Sequence, residues 1–171
     1  MSSIKCNRIW KFGDNVDTDA ILPAQYLNIT DMSELAQHCM ESINPSFASQ
    51  SSSGDIVVAG RNFGSGSSRE QAPIALKGSG IAFIIAESFS RIFFRNCVNI
   101  GLSIIELPNA VSLIDEDDVL FIDLDIGKIH NNTKNAEYSV AAHPPFMQNI
   151  VDHGGLINLI KTQLADENKD T

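Results

Sequence analysis

The sequence predicts an α/β fold in which a parallel β/α core is followed by antiparallel strands. Short apolar runs bounded by turn residues are typical of buried parallel strands, and here they alternate with amphipathic helical patterns. The runs are Asp55–Gly60, Gly80–Ala86 and Leu102–Ile105. The helical patterns are Arg69–Leu76 and Ser88–Asn96. This alternation of strand and helix predicts that the three runs pair in parallel.

Beyond Val119 the pattern changes to short strands joined by turn-forming sequences. Strands separated by an Asp-Ile-Gly turn and an Asn-rich turn are expected to pair with their neighbours in antiparallel fashion. A last amphipathic stretch predicts a C-terminal helix. The predicted elements are, in order, the strands Leu120–Ile122, Lys128–His130 and Tyr138–Val140, and the helix Gly155–Leu164.

The first third of the chain predicts less regular structure. Gly13–Asp19 contains Gly, Asn and three Asp residues, which predicts a turn-rich acidic loop without a regular element. Asp31–Met40 predicts a short helix, because Asp31 can cap it and Glu34 follows three residues later, as in a capping box. The Ser-rich run 49–54 predicts a flexible connector that separates this part from the rest.

The composition predicts one globular domain, residues 1–171, because 43% of the residues are hydrophobic and only 19% are charged. The formal net charge is −9, so the overall field does not favour nucleic acid or an anionic membrane as a partner. Five basic and two acidic residues lie within Arg61–Arg95, against seven basic and nineteen acidic residues elsewhere. A local anion site is therefore expected in this window, although a solvated basic surface would give the same count.

Cysteine and histidine spacing predicts no metal site in this chain. Cys6, Cys39 and Cys97 are far apart and odd in number, which predicts reduced, partly buried thiols and not a disulfide framework or a zinc site. The four histidines lack the spacing of known ligand motifs. No apolar run has the length of a secretory signal or a membrane span, so a cytoplasmic protein is expected.

The chemistry-bearing feature is the loop Gly60–Glu70, which joins a predicted buried strand to a predicted helix. Its glycines allow tight turns, and the helix N-terminus offers free N–H groups to an anion. The loop fits neither a Walker pattern, nor Gly-x-Gly-x-x-Gly, nor the Gly-x-Ser-x-Gly of a nucleophile elbow. Ser67, Ser68 and Arg69 cluster at its end, where a serine could also serve only as an N-cap. Arg69 adds a planar donor suited to a carboxylate or phosphate.

Together these motifs resemble the aconitase swivelling-domain family, which includes small subunits of the isopropylmalate dehydratase type. The matching motifs span about residues 8 to 165 and are Gly13–Ile21, Tyr26–Leu27, Ser67–Glu70 and Ser88–Phe93. The resemblance implies a swivelling β/β/α domain that assembles with a separate large subunit. It also implies that the large subunit, and not this chain, holds a [4Fe–4S] cluster acting as a Lewis acid.

The resemblance assigns roles to residues at matching positions. Ser67 matches the base that removes and returns a proton next to a carboxylate, and Ser68 and Arg69 match binders of that carboxylate. Asp19 matches a supporting catalytic aspartate, although it could also only form a turn. Asn28 and Ile29 stand where members that act on tricarboxylates have an arginine, so an apolar substituent such as isopropyl is expected on a dicarboxylate substrate.

The implied activity is the interconversion of 2- and 3-isopropylmalate by dehydration and rehydration in leucine biosynthesis. Two alternatives remain open: a related citramalate or 2,3-dimethylmalate dehydratase, and a non-catalytic anion-binding regulatory module. Ser65 and Gln71 replace the Cys and His that many family members carry at these positions. The Ser-Ser-Arg core is retained, so the chemistry is expected to survive this change.

Overall fold

The computed structural model describes residues 3–167, so the terminal residues of the predicted 1–171 domain lie outside it. Two four-stranded sheets and a set of short helices make up this part of the chain. In chain order the elements are β1 (Ile4–Lys5), β2 (Ile9–Lys11), α1 (Thr18–Ile21), a 3-10 turn (Ala24–Tyr26), α2 (Met32–Ala36), α3 (Phe47–Gln50), β3 (Asp55–Ala59), α4 (Gln71–Gly78), β4 (Ile81–Ala86), α5 (Arg91–Asn99), β5 (Ser103–Glu106), α6 (Ala110–Leu113), β6 (Leu120–Asp123), β7 (Lys128–Asn131), β8 (Ala136–Ser139), α7 (Pro145–Asp152) and α8 (Leu156–Glu167).

The two sheets differ in the direction of pairing, as the sequence predicts. One sheet has the order β2-β3-β4-β5, and all of its strands are parallel. The other has the order β1-β6-β7-β8, and all of its strands are antiparallel. The prediction of a parallel core with additional antiparallel strands is therefore confirmed.

The parallel sheet lies between a layer of helices, which includes α4 and α5, and the antiparallel sheet, while α6 packs on the same side as the antiparallel sheet. Successive side chains of a strand point to opposite faces, and both faces of β3 are buried. Val57 belongs to one apolar cluster, which includes Phe93 of α5. Ile56 belongs to the other, which includes Ile122 of β6. This three-layer arrangement is the predicted β/β/α fold.

The first third of the chain contributes β1 to the antiparallel sheet and β2 to the parallel sheet, so it is not separated from the rest at the Ser-rich run 49–54. β2 pairs in parallel with β3 on the far side of that run. Asp55 at the start of β3 is fully buried, and its carboxylate accepts hydrogen bonds from the Trp10 indole at 3.0 Å and the Ser52 amide at 3.0 Å. The run is therefore tied to the sheet, and its first residues end α3.

The helix boundaries differ from the predicted ones. The loop Gly13–Asp19 contains the start of α1, for which Asp17 is the N-cap. The helix predicted over Asp31–Met40 has the predicted Asp31 cap but ends at Ala36. Both later helices begin two or three residues beyond their predicted starts, α4 at Gln71 and α5 at Arg91.

Several short elements were not predicted: β1, β2, α3, α6 and α7. Each is eight residues or shorter, which leaves too few positions for an apolar period to show. The predicted C-terminal helix is present as α8. No helix within residues 3–167 has the length and apolar character needed to cross a bilayer.

Candidate active site

Two segments that follow neighbouring parallel strands meet at one edge of the sheet. The acidic segment, Gly13–Asp19, follows β2, and the Gly/Ser loop, Gly60–Glu70, follows β3. Their backbones remain paired beyond the strands, since the Gly64 amide donates to the Val16 carbonyl at 2.8 Å and the Thr18 amide donates to the Ser65 carbonyl at 2.9 Å. The carboxyl ends of parallel strands are the usual place for a ligand site in such a sheet.

The loop borders a narrow cleft with about 170 Å³ of empty space. This volume includes space open to solvent, and no part of the cleft is wide enough to enclose a water molecule, so a ligand would lie at its rim, where Ser67 and Ser68 are exposed. The lining residues come from the loop, from α1 and from α5, and they are Thr18, Gly64, Gly66, Ser67, Ser68, Arg69, Ser90, Ile92, Phe93 and Asn96.

Neither Ser67 nor Ser68 caps a helix. Helix α4 starts later than predicted, and its N-cap residue is Glu70, which forms no side-chain capping bond. Within residues 3–167 neither serine hydroxyl has a hydrogen-bond partner, and the backbone N–H groups of Ser67, Ser68 and Arg69 are likewise unpaired. The loop therefore presents hydroxyls and N–H donors that are available to an anion.

The helix beside these serines is α5, and not the predicted α4. The first residue of α4, Gln71, does not line the cleft, whereas Ser90 and Phe93 at the start of α5 do. The Ser90 hydroxyl accepts a hydrogen bond from the Phe93 amide and donates one to the Gly64 carbonyl at 2.8 Å. The same hydroxyl thus caps α5 and fixes the first half of the loop.

Arg69 forms an ion pair with Asp19 across the two segments. The Arg69 side chain is 15% exposed, while that of Asp19 is 60% exposed. A guanidinium that is paired with one carboxylate still has N–H donors for a second carboxylate, because it carries five donors in a rigid plane. The ion pair places Asp19 where it can orient the Arg69 guanidinium.

The basic window Arg61–Arg95 is not a uniform anion-binding surface. Lys77 donates to the backbone carbonyls of Ile100 and Gly154, and burial lowers the pKa of its ammonium group. Arg61 pairs with Asp14, whose pKa is lowered chiefly by the hydrogen bond from the Arg61 backbone amide. Of the basic residues in this window, Arg69 is the one that lines the cleft with Ser67.

Residues 41–110 match the family described as the aconitase C-terminal domain. The 3-isopropylmalate dehydratase small subunit of Nautilia profundicola is 56% identical over 95% of this chain and 96% of its own length. That of Thermodesulfovibrio yellowstonii is 53% identical over 94% of this chain and 95% of its own. The chain belongs to the 3-isopropylmalate dehydratase small-subunit family. This confirms the resemblance drawn from the motifs.

A solved structure supports the same assignment. The 3-isopropylmalate dehydratase of Methanocaldococcus jannaschii superposes with a TM-score of 0.91 and is 44% identical. The match covers 99% of this chain and 100% of that chain. Fold and family membership therefore agree over nearly the whole sequence.

The two residues expected to read the substrate do not line the cleft of this dehydratase small subunit. Asn28 is exposed, and Ile29 is partly buried against the core that α4 and α5 share. The Gln71 side-chain amide donates to the Leu27 carbonyl at 3.2 Å and ties this segment to the start of α4. Gln71 thus connects the segment of Asn28 and Ile29 to the end of the loop that carries Ser67.

The thiols of this chain do not fit an iron–sulfur cluster. Burial raises the pKa of Cys6 and of Cys39 to about 12, and it also raises that of Cys97 well above its usual value. Cys6 lies in one apolar cluster and Cys39 and Cys97 lie in the other, so the three thiols do not converge on one site. In the described part of the chain, no three His, Cys, Asp or Glu residues lie together in a way that could hold a metal ion.

The cleft also contains residues that sequence reasoning did not single out. Thr18 and Ser90 bond to loop carbonyls. The Asn96 side-chain nitrogen is buried without a partner in the described residues, and the Ile92 side chain is 50% exposed. Ile92 belongs to the apolar period of the helical pattern Ser88–Asn96, and such a period predicts burial, so it does not reveal the exposure of this side chain at the cleft.

Proposed function

We propose that this chain supplies one half of the active site of a two-subunit hydro-lyase that interconverts 2- and 3-isopropylmalate in leucine biosynthesis. The observation that carries the proposal is the exposed, unpaired Ser67 hydroxyl on a loop that also holds Arg69. The relatives that match along almost the whole chain are named as small subunits of such a dehydratase. The other half of the site belongs to a large subunit. The cytoplasmic location expected from the sequence stays a prediction.

Ser67 acts as the base in this proposal. It removes the proton from the carbon next to a substrate carboxylate, and the substrate hydroxyl leaves from the neighbouring carbon, so that proton and hydroxide together make up the water lost. Rehydration in the opposite sense places a proton on the carbon that had carried the hydroxyl and hydroxide on the carbon that had lost its proton, which gives the isomer. A serine alkoxide needs strong stabilisation near neutral pH, and the Arg69 guanidinium with the unpaired N–H groups of the loop supports it.

Ser68 and Arg69 bind the carboxylate that activates this proton. A guanidinium and a carboxylate form two parallel hydrogen bonds, which fix orientation as well as charge. The ion pair with Asp19 holds the Arg69 side chain in one place before the substrate arrives. Such orientation lowers the entropic cost of reaching the reactive geometry.

Asn28 and Ile29 select the substituent of the substrate. An isopropyl group can pack against Ile29, whereas a third carboxylate there would lose hydration without gaining a cationic partner. Because these residues do not line the cleft of the isolated chain, the proposal requires the substrate or the large subunit to bring the segment to the Ser67 loop.

The [4Fe–4S] cluster belongs to the large subunit in this proposal. The proposal uses Ser67, Ser68 and Arg69 for proton transfer and carboxylate binding, and it takes no cluster ligand from the three buried cysteines.

The test is reconstitution with the large subunit encoded in the same genome. The mixed subunits should interconvert 2- and 3-isopropylmalate, with citramalate, 2,3-dimethylmalate, citrate and homocitrate measured in parallel. A preference for citramalate or dimethylmalate would assign a smaller substrate to the same site. A preference for a tricarboxylate would overturn the role of Asn28 and Ile29. Binding of dicarboxylates without turnover by any large subunit would favour the regulatory module.

A further inference from the structure

We propose that Thr18 is a positioning residue that sets the orientation of the Ser67–Ser68 peptide. The inference rests on the proposed function, because it concerns the loop that carries the proposed base. Thr18 is 2% exposed. Its hydroxyl donates to the Ser67 carbonyl oxygen at 3.0 Å, and its backbone amide donates to the Ser65 carbonyl at 2.9 Å.

The burial of the Thr18 hydroxyl points to a specific role for this bond. A buried hydroxyl without a partner is costly, and valine would fill almost the same space without that cost. Helix α1 does not need the hydroxyl, since its N-cap is Asp17, whose carboxylate accepts from the Ala20 amide at 2.7 Å. The Thr18 hydroxyl is therefore used for the loop and not for its own helix.

The bond fixes more than one atom of the loop. In a trans peptide the carbonyl and the following N–H point in opposite directions, and residues 3–167 contain no cis peptide bond. Because the Ser67 carbonyl faces Thr18, the Ser68 N–H faces away from it. This N–H has no partner in the described structure, so it remains a donor for an anion at the cleft rim.

The second half of the loop depends on Thr18 because the glycines on either side of Ser65 can adopt several backbone conformations. Gly64 and Gly66 have φ angles of +74° and +90°, which glycine leaves readily for other conformations. Ser90 holds only the first half of the loop in the described structure, through the Phe63 and Gly64 carbonyls. Without the Thr18 hydroxyl, the Ser67–Ser68 peptide can rotate about Gly66, and the base and the adjacent donor lose their fixed relation.

The experiment compares Thr18→Val and Thr18→Ser in the reconstituted two-subunit enzyme. Thr162→Val is the matched control, because the Thr162 hydroxyl also donates to a backbone carbonyl, that of Asn158 at 3.0 Å, in the distant helix α8. Thr18→Val should lower kcat by about 10- to 100-fold, the usual effect of a small misplacement of reacting groups, with KM changed less than about threefold. Thr18→Ser should restore most of the kcat, and Thr162→Val should leave it unchanged.

Two results would overturn the proposal. One is a kcat of Thr18→Val within about twofold of the wild type, a difference too small for a displaced base. The other is a kcat of Thr18→Ser as low as that of Thr18→Val, since the loss would then come from the methyl group and its packing.

A second measurement uses the isolated chain and needs no substrate. The carbonyl ¹³C resonance of Ser67 should move upfield in Thr18→Val and return in Thr18→Ser, as expected when a hydrogen bond to this carbonyl is lost and regained. An unchanged resonance in Thr18→Val would contradict the positioning role. If the wild-type enzyme does not turn over isopropylmalate but the resonance behaves as stated, the proposed substrate is wrong and the role of Thr18 in ordering the loop stands.

Discussion

Two polar clusters of this molecule use similar side chains in opposite ways. Beside the antiparallel sheet, the Lys134 ammonium contacts Asp115 at 2.8 Å and Asp118 at 3.2 Å, and the Asn131 amide donates to Asp118 at 2.7 Å. This Lys134 cluster satisfies its members with one another. At the cleft, by contrast, Arg69 has a carboxylate partner, while the serine beside it has none within residues 3–167.

The difference distinguishes a cluster whose groups pair with one another from one that leaves donors available for a ligand. In the Lys134 cluster, burial raises the pKa of Asp118, but hydrogen bonds from the Asp115 backbone amide, Asn131 and Lys134 outweigh it and hold that pKa below the usual value. Such a network of mutually paired groups stabilises the fold. The open donors of the Ser67 loop contribute little to folding and are available for binding.

The largest effect on activity is expected from Ser67→Ala. Turnover by the reconstituted enzyme should fall by about 1,000-fold or more, because the proposed base is lost. Subunit assembly and the melting temperature should stay close to those of the wild type, since the hydroxyl has no partner in the described residues. Ser49→Ala removes an exposed hydroxyl far from the cleft and serves as the control. Near-normal turnover of Ser67→Ala would remove this residue as the base.

A smaller loss is expected for Arg69→Lys. Lysine keeps the charge but cannot form paired hydrogen bonds with Asp19 and a substrate carboxylate. We expect kcat/KM to fall by about 10- to 100-fold, as for the loss of a hydrogen bond to a charged group. Steady-state kinetics of the reconstituted enzyme measure this change. The control is Lys161→Arg, the reverse exchange at an exposed site on α8, which should leave kcat/KM unchanged. A change below about twofold would show that one charge suffices there.

A substitution in the Lys134 cluster should change the stability of the protein and not its activity. The Asp118 carboxylate accepts hydrogen bonds from three donors, and in Asp118→Asn one of its oxygens becomes an NH2 group that cannot accept them. This substitution should lower the free energy of unfolding by about 1–2 kcal/mol. Denaturant unfolding of the isolated chain measures the loss, and kcat of the reconstituted enzyme should be unchanged. A fall in kcat at full subunit assembly would connect this cluster to the active site.

The same carboxylate predicts a pH dependence. A folded-state pKa below the unfolded value means that the unfolded chain binds a proton more readily, so the contribution of Asp118 is complete above about pH 4 and is lost as the pH falls further. The stability difference between the wild type and Asp118→Asn should therefore shrink on acidification below about pH 4. A difference that stays constant down to pH 2 would contradict this assignment.

The smallest effect is expected from Gln71→Ala, which removes the tether to the Leu27 carbonyl. The segment of Asn28 and Ile29 should then be held less firmly, and KM for isopropylmalate should rise by about two- to fivefold with little change in kcat, as for loss of one neutral hydrogen bond. Gln37→Ala provides a control in the same part of the chain. An unchanged KM would show that the tether does not serve substrate binding.

The parallel core could be predicted from the sequence because β3 and β4 are continuous apolar runs with turns at both ends. Strands β1 and β2 could not, because two and three residues are too few to show a period. Their positions depend on pairing with distant strands and on the buried Asp55 carboxylate. Short helices such as α1 depend in the same way on tertiary contacts and not on propensity.

At the site, sequence reasoning identified the chemical groups but not the scaffold. Ser67 and Arg69 could be recognised from composition, spacing and family motifs. Their neighbour α5 could not be, because contact between Gly64 and Phe93 follows from the packing of two strands and a helix. Thr18 was likewise hidden, since a threonine within an acidic turn gives no local sign that its hydroxyl reaches across 49 residues to Ser67.

The pairing of the two segments at the cleft also limits how this family can change in length. Asp17 forms a β-bridge with Ser65, Thr18 a hydrogen bond with Ser67, and Asp19 an ion pair with Arg69. An advance of one residue along the first segment therefore corresponds to an advance of two residues along the second. A single-residue insertion or deletion in either segment would shift all of these partners at once. Relatives with the same chemistry should therefore accept substitutions here far more readily than gaps, and length differences should collect in distant turns such as the one between β7 and β8.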